Sequence, residues 1–141
     1  MLLEGDKSRC QEFQKIIVSR DMGNKREHRA INKNGTYQVR QYKLDGDIIK
    51  QMKCCDFLVI NDSMKKSYYI ELKGENIDEA ILQLESAVQL CSGELRGYEI
   101  FYRIVCSKVL THKVNSNKFR KFQAKVGKKL QYKSGSMEEM I

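Results

Sequence analysis

Two short apolar runs, Phe57, Leu58, Val59, Ile60 and Tyr68, Tyr69, Ile70, stand on either side of the polar stretch Asn61, Asp62, Ser63, Met64, Lys65, Lys66. Brief runs of β-branched and aromatic residues split by turn-forming residues predict a β-hairpin. Side chains alternate between the two faces of a strand. Here both faces are apolar, with Phe57, Val59 and Ile70 on one and Leu58, Ile60 and Tyr69 on the other. A hairpin of that kind must be covered on both sides, which predicts an α/β chain with a central sheet and helices on each face.

Acid frames this hairpin. Asp56 opens its first strand, and Glu71 and Lys73 close its second. Symmetry about the Ser63–Met64 bond sets Asp56 directly opposite Glu71, roughly 5 Å away between Cβ atoms. Like charges so placed destabilise a strand pair unless a cation lies between them or one acid keeps its proton. Two carboxylates are the oxygen ligands that Mg²⁺ or Mn²⁺ prefers. Lys73 falls on the Glu71 face, whereas Ile70 and Leu72 point the other way. From the residues alone, an ion pair between Lys73 and Glu71 explains the lysine equally well.

An Asp, a hairpin turn and Glu-x-Lys on the next strand, here Cys55-Asp56 and Glu71-Leu72-Lys73, resembles the catalytic core of the PD-(D/E)XK, or restriction-endonuclease-like, nuclease superfamily. The Pro that commonly precedes the Asp is absent. The resemblance implies a restriction-endonuclease-like mixed β-sheet flanked by helices on both faces. It also implies Mg²⁺ or Mn²⁺ held by Asp56, Glu71 and the Leu72 carbonyl, with Lys73 orienting or deprotonating the attacking water. The implied activity is endonucleolytic hydrolysis of phosphodiester bonds, in DNA ahead of RNA, by a homodimer where two strands are handled. A further acid from the first helix is implied, Glu27 ahead of Glu12, and the likeness to cap-snatching viral relatives of the fold makes His28 a more distant candidate metal ligand. Gln83 stands where exonuclease-like branches carry a Gln followed four residues later by a Tyr, but that later position is Ala87. A catalytically inactive nucleic-acid-binding or protein-interaction module on the same fold is the alternative reading.

Around the hairpin, Phe13, Ile16 and Ile17 have helical spacing, so a first helix is expected over 2–20 and a second over 25–33, after Gly23-Asn24 and before Asn34-Gly35. Tyr37 to Tyr42 reads as a strand and Asp45-Gly46 as a turn; the stretch 48–52 is open between strand and connection. Asn76-Ile77-Asp78-Glu79 has the form of a capping box. The stripe Ile77, Ala80, Ile81, Leu84, Ala87, Val88, Cys91 then predicts a helix, ended by Ser92-Gly93. A buried strand over 100–107 can return parallel to the Glu71 strand after that helix. A last helix over 117–126 buries Phe119, Phe122 and Val126, a closing strand spans 130–133, and 134–141 is expected to fray.

The chain of 141 residues, 41% hydrophobic, fits one domain with its own core. No apolar run approaches the ~20 residues of a membrane span. Met1, Leu2 and Leu3 are followed at once by Glu4 and Asp6 rather than by a signal-peptide core, so the expected location is cytoplasmic. The net charge of +8 favours a polyanionic partner. It is concentrated at Lys25, Arg26 and Arg29, and again at Lys118, Arg120, Lys121 and Lys125, the candidate nucleic-acid contacts; either cluster alone is also explained as a solvated face. Five cysteines with no C-x-x-C spacing argue against zinc and against a disulfide framework. Cys91 and Cys106 read as buried thiols. His28 and His112 lack a partnering nucleophile motif.

Overall fold

A computed structural model of the chain describes residues 1–21, 26–73 (the Lys73 side chain excepted), 76–107 and 116–141. Among the described residues it is a mixed α/β structure of two sheets and two helices. The larger sheet holds β3 (Val39–Lys43), β4 (Phe57–Asn61), β5 (Lys66–Lys73), β6 (Glu99–Cys106) and β7 (Leu130–Ser134), in that spatial order. The strands β3, β4 and β5 form an antiparallel meander, and β6 and β7 add parallel to β5. The hairpin register is the expected one, with Phe57 opposite Ile70 and Leu58 opposite Tyr69.

The parallel strands are joined through α1 (Ile77–Cys91) and α2 (Asn117–Val126). The α1 helix starts where the capping box placed it, the Asn76 side chain accepting the Glu79 N–H at 3.0 Å. The buried stripe is Ile77, Ala80, Ile81, Leu84, Ala87 and Cys91. In α2 the Ser116 hydroxyl accepts the Phe119 N–H at 3.1 Å, and Phe119 and Phe122 are buried. Gly127 takes a φ of +60° directly after that helix, a conformation glycine adopts without a Cβ penalty. Both helices pack on the Leu58, Ile60, Tyr69 and Ile104 face. Each fully buried Leu, Ile or Phe there contributes roughly 1.5–3 kcal/mol.

The opposite face is where the structure departs from expectation. It is covered by a second sheet rather than by helices, made of β1 (Ile16–Arg20), β2 (Glu27–Ile31) and β8 (Ser136–Met140) in the order β1-β2-β8. Ile17, Ala30, Met137 and Ile141 pack there against Val39, Phe57, Val59, Tyr68, Ile70, Leu72 and Val105. The helix expected over 2–20 is instead a loop, a short 3-10 turn at Gly5–Lys7 and then β1. The described part of 25–33 is chiefly β2. The tail expected to fray is a strand, β8 pairing parallel with β2 and Ile141 being only 8% exposed. The hairpin's two apolar faces demanded a cover on each side, which an amphipathic sheet supplies as well as a helix. Residues 48–52 form turns, with an isolated bridge between Asp45 and Ile49.

A buried polar cluster ties the two sheets together. Arg103 on β6 is 3% exposed and donates from Nε and Nη2 to both Glu139 carboxylate oxygens, at 2.7 and 3.0 Å. Fully buried His28 lies with Nε2 at 2.6 Å from Glu139. The guanidinium also lies over the stacked rings of Tyr68 and Phe101, 5.5 and 5.4 Å from their centroids. Burial alone would raise the Glu139 carboxyl, but hydrogen bonds from His28 and Arg103 more than offset it and hold it at about 2. Among the described residues, no helix is long and apolar enough to cross a membrane.

Candidate functional site

The continuing hairpin register brings Asp56, just before β4, beside Glu71 near the end of β5. Both lie at the edge of the sheet where the parallel strands end, the edge at which open α/β sheets present ligand sites. The Asp56 Oδ2 accepts the Leu72 N–H at 2.8 Å, so a backbone group of β5 fixes the first acid. Glu71 is only 3% exposed, whereas Asp56 is half-buried. Burial pushes the Asp56 carboxyl above the usual carboxylate range; the Leu72 N–H opposes this, the nearby Asp21 charge adds to it, and a hydrogen bond with Glu71 and the charge of Lys43 lower it. A hydrogen bond between two carboxyl groups requires a proton on one of them. A divalent cation would replace that proton when both acids ionise.

Leu72 faces the other side of the sheet, in the core with Phe57 and Val59, as strand alternation requires. Lys73 closes β5 opposite Cys106 in the parallel register; its side chain lies outside the described residues. Among the described residues, no group of three or more His, Cys, Asp or Glu is arranged to hold a metal ion.

Neither candidate for a further acid is turned toward Asp56. Glu27 pairs with Arg29 at 3.3 Å and Arg20 at 3.8 Å. It alternates with the inward His28 and Ala30, so it projects from the outer side of the second sheet. Glu12 bonds Gln38, and its carbonyl accepts the Val39 N–H, at the end of β3 away from Asp56. The acid whose charge Asp56 feels is Asp21, next to the end of β1. It lies 3.9 Å from the ammonium of Lys43, which ends β3. Neither has a motif to announce it, since the spacing over 2–20 predicts a helix and Lys43 has the look of an ordinary strand-end lysine. His28 is engaged through Nε2 by Glu139 in the core, on the β2 face turned toward the larger sheet.

The basic clusters do not flank the acids together. Arg29 bonds Glu27 and lies 3.5 Å from Glu138 on the outer side of the second sheet, across the larger sheet from the helices. Arg26 precedes β2 and is half-buried; Lys25 and His112 lie outside the described residues. The α2 cluster is on the acid-bearing face. Its Lys118, Lys121 and Lys125 line a groove of about 220 Å³ with Ile81, Glu85 and Phe122. Lys125 is held 3.9 Å from Glu85, and Arg120 and Lys121 are exposed. The first turns of α1 and α2 meet where Ser116 donates to Asp78 at 2.8 Å.

All five cysteines are free, and Cys54, Cys55, Cys91 and Cys106 are buried. Burial first, then the charge of Asp45 and other neighbours, pushes the Cys54 thiol up to about 12, and Cys55 is raised as well. These thiols stay protonated, unlike nucleophilic cysteines. Compared with known proteins, the chain matches no family model, no curated protein and no solved structure.

Proposed function

We propose that the protein is a metal-dependent endonuclease of the PD-(D/E)XK type, a restriction-endonuclease-like domain acting in the cytoplasm on nucleic acid, DNA ahead of RNA, and as a homodimer where both strands of a duplex are cut. The observation that carries this reading is the hairpin register, which sets a half-buried and a buried carboxyl side by side with the first anchored on the backbone that bears the second. The run β3, β4, β5, α1, β6, with β6 parallel to β5, supports it. The first helix of the resemblance is replaced by β1, and Asp21 takes the place of the additional acid.

Two carboxyls sharing one hydrogen bond fit a hard cation in place of the proton. Mg²⁺ or Mn²⁺ bound by Asp56, Glu71 and the Leu72 carbonyl would neutralise the phosphate and acidify a water. The chain's own contribution is positioning. The Leu72 N–H keeps Asp56 turned toward Glu71, burial of Glu71 strengthens its electrostatic interactions, and Lys73 is assigned to the attacking water. Lys118, Arg120 and Lys121 hold the phosphate backbone.

Incubating labelled DNA and RNA with the protein in Mn²⁺, Mg²⁺ or EDTA tests the reading. Cleavage is expected only with metal and is lost in Asp56→Ala, Glu71→Ala and Lys73→Ala while each variant stays folded. Cleavage in EDTA, or cleavage by all three variants, refutes it. A catalytically inactive nucleic-acid-binding module is favoured by one fact, that Asp56 is satisfied by Leu72 and Glu71 without a cation; tight binding with no cleavage selects it.

A further inference from the structure

Tyr132 is a large ring left 43% exposed on β7, whose Leu130 is buried and whose Gln131, Lys133 and Ser134 are polar. Register relates it to the acids. Glu71 pairs with Ile104 and Ile104 with Tyr132, so the three stand in one row across β5, β6 and β7. Residues paired in this way share a face of the sheet, and two strand spacings put Tyr132 about 10 Å from Glu71. Ile104 between them is fully buried.

The ring is also held in place. Phe119 of α2 meets it edge to face, the centroids 5.2 Å apart and the planes at 87°. That contact supports one edge of the tyrosine and leaves part of the ring to solvent. Since Lys118, Lys121 and Lys125 face α1 across the groove and Phe119 and Phe122 face the sheet, helical spacing of about 100° per residue turns Arg120 toward the flank on the β7 side. Exposed Lys128 and Lys129 lie on the turn that leads into β7, whereas Lys133, next to Tyr132 on the strand, turns to the other face of the sheet.

A fixed, partly exposed aromatic ring among cations is what binds an unpaired nucleobase: the ring stacks on the base and the cations track its phosphates. A base inside a duplex has no free face to offer. We propose that Tyr132 is a stacking platform for an unpaired base next to the cleavage site, so that the substrate class is single-stranded or locally unpaired nucleic acid. This rests on the nuclease reading above and narrows it, and the charge of the surface commits it to a nucleic acid rather than to an apolar protein partner.

The chain contains no tryptophan, so Tyr132→Trp supplies a sole indole reporter at the platform. In EDTA, where no cleavage is expected, a single-stranded oligonucleotide should quench the indole emission in step with binding followed by anisotropy, and a duplex of equal length should leave it bright. Tyr132→Ala should weaken single-strand binding roughly tenfold, the loss expected for one base–aromatic stack, while Tyr132→Phe binds like the wild type. Single-strand binding with unchanged indole emission, or wild-type affinity in Tyr132→Ala, overturns the platform and leaves the nuclease reading standing. Absence of binding to any nucleic acid overturns the platform, and absence of cleavage with Mn²⁺ or Mg²⁺ as well overturns the nuclease reading.

Discussion

Asp56 Oδ2 accepts the Leu72 N–H at 2.8 Å, so the first acid of the candidate site is fixed by the strand that carries the second. The pairing works because Asp56 lies just outside β4, where its side chain can turn to an N–H near the end of β5. An Asp56→Asn change retains an acceptor for that bond, while Asp56→Ala removes it. The Ala variant should therefore be less stable than the Asn variant by about 1–3 kcal/mol, the usual range for orphaning a buried donor. Chemical denaturation of the two metal-free proteins measures the difference.

The Arg103–Glu139 pair should dominate acid sensitivity. Glu139 is held at about 2 when folded against an ordinary value of 4.5, so it contributes stability above pH ~4.5 that is lost as the pH falls toward ~2, on the order of 3 kcal/mol. Glu139→Gln should flatten the stability profile over that window. It should also lower stability at neutral pH by about 3 kcal/mol, because the buried Arg103 guanidinium loses its counter-charge. Urea titrations across the pH range test both effects.

Removing residues 136–141 should cost far more than trimming a loose end. The deletion takes away β8, the buried Met137 and Ile141, and Glu139. Two buried apolar side chains at roughly 1.5–3 kcal/mol each, together with the polar cluster left open to water, approach the roughly 5–15 kcal/mol that holds a typical domain folded. The truncated chain is expected to lose its cooperative thermal transition by circular dichroism.

The cations should divide sharply in salt dependence. Replacing Lys118, Arg120 and Lys121 by Gln should reduce the slope of log K against log salt by about 0.7 for each phosphate no longer neutralised on a single strand, or about 0.9 on a duplex. Lys125→Gln should change it less, since that ammonium already faces Glu85. Arg29→Gln should leave the slope unaltered, because Arg29 is paired on the outer side of the second sheet. Binding isotherms at several salt concentrations distinguish these outcomes.

The legible parts of the chain are those with local signals. The hairpin register follows from the position of its turn, α1 from the Asn76 cap and a continuous apolar stripe, and α2 from Phe119, Phe122 and the glycine beyond. The second sheet has no such signature. Its inward face mixes Ile17 and Ala30 with the buried polar Ser19 and His28, so period-two burial does not show as period-two hydrophobicity. Those polar residues find partners from afar, Ser19 in the Gln41 amide at 3.0 Å and His28, through Nε2, in Glu139. The strand β8 pairs with β2 from the far end of the chain, a pairing that no local window contains. Asp21 is hidden for the same reason, because its place beside Asp56 depends on β1 being a strand.

The most direct test of a cation site between Asp56 and Glu71 is a thermal melt of the wild type and Asp56→Asn, each with and without millimolar Mn²⁺. In the metal-free protein the two carboxyls share one hydrogen bond, and in Asp56→Asn the amide can donate to Glu71 in place of the shared proton while its oxygen still accepts the Leu72 N–H, so Asp56→Asn should melt at the wild-type temperature or above it. Mn²⁺ should raise the wild-type Tm, because a ligand bound only by the folded state stabilises it by mass action, and the Asn variant should lose that gain. A wild-type Tm indifferent to Mn²⁺, with Asp56→Asn melting lower in the absence of metal, would contradict the account and mark the pair as a structural hydrogen bond.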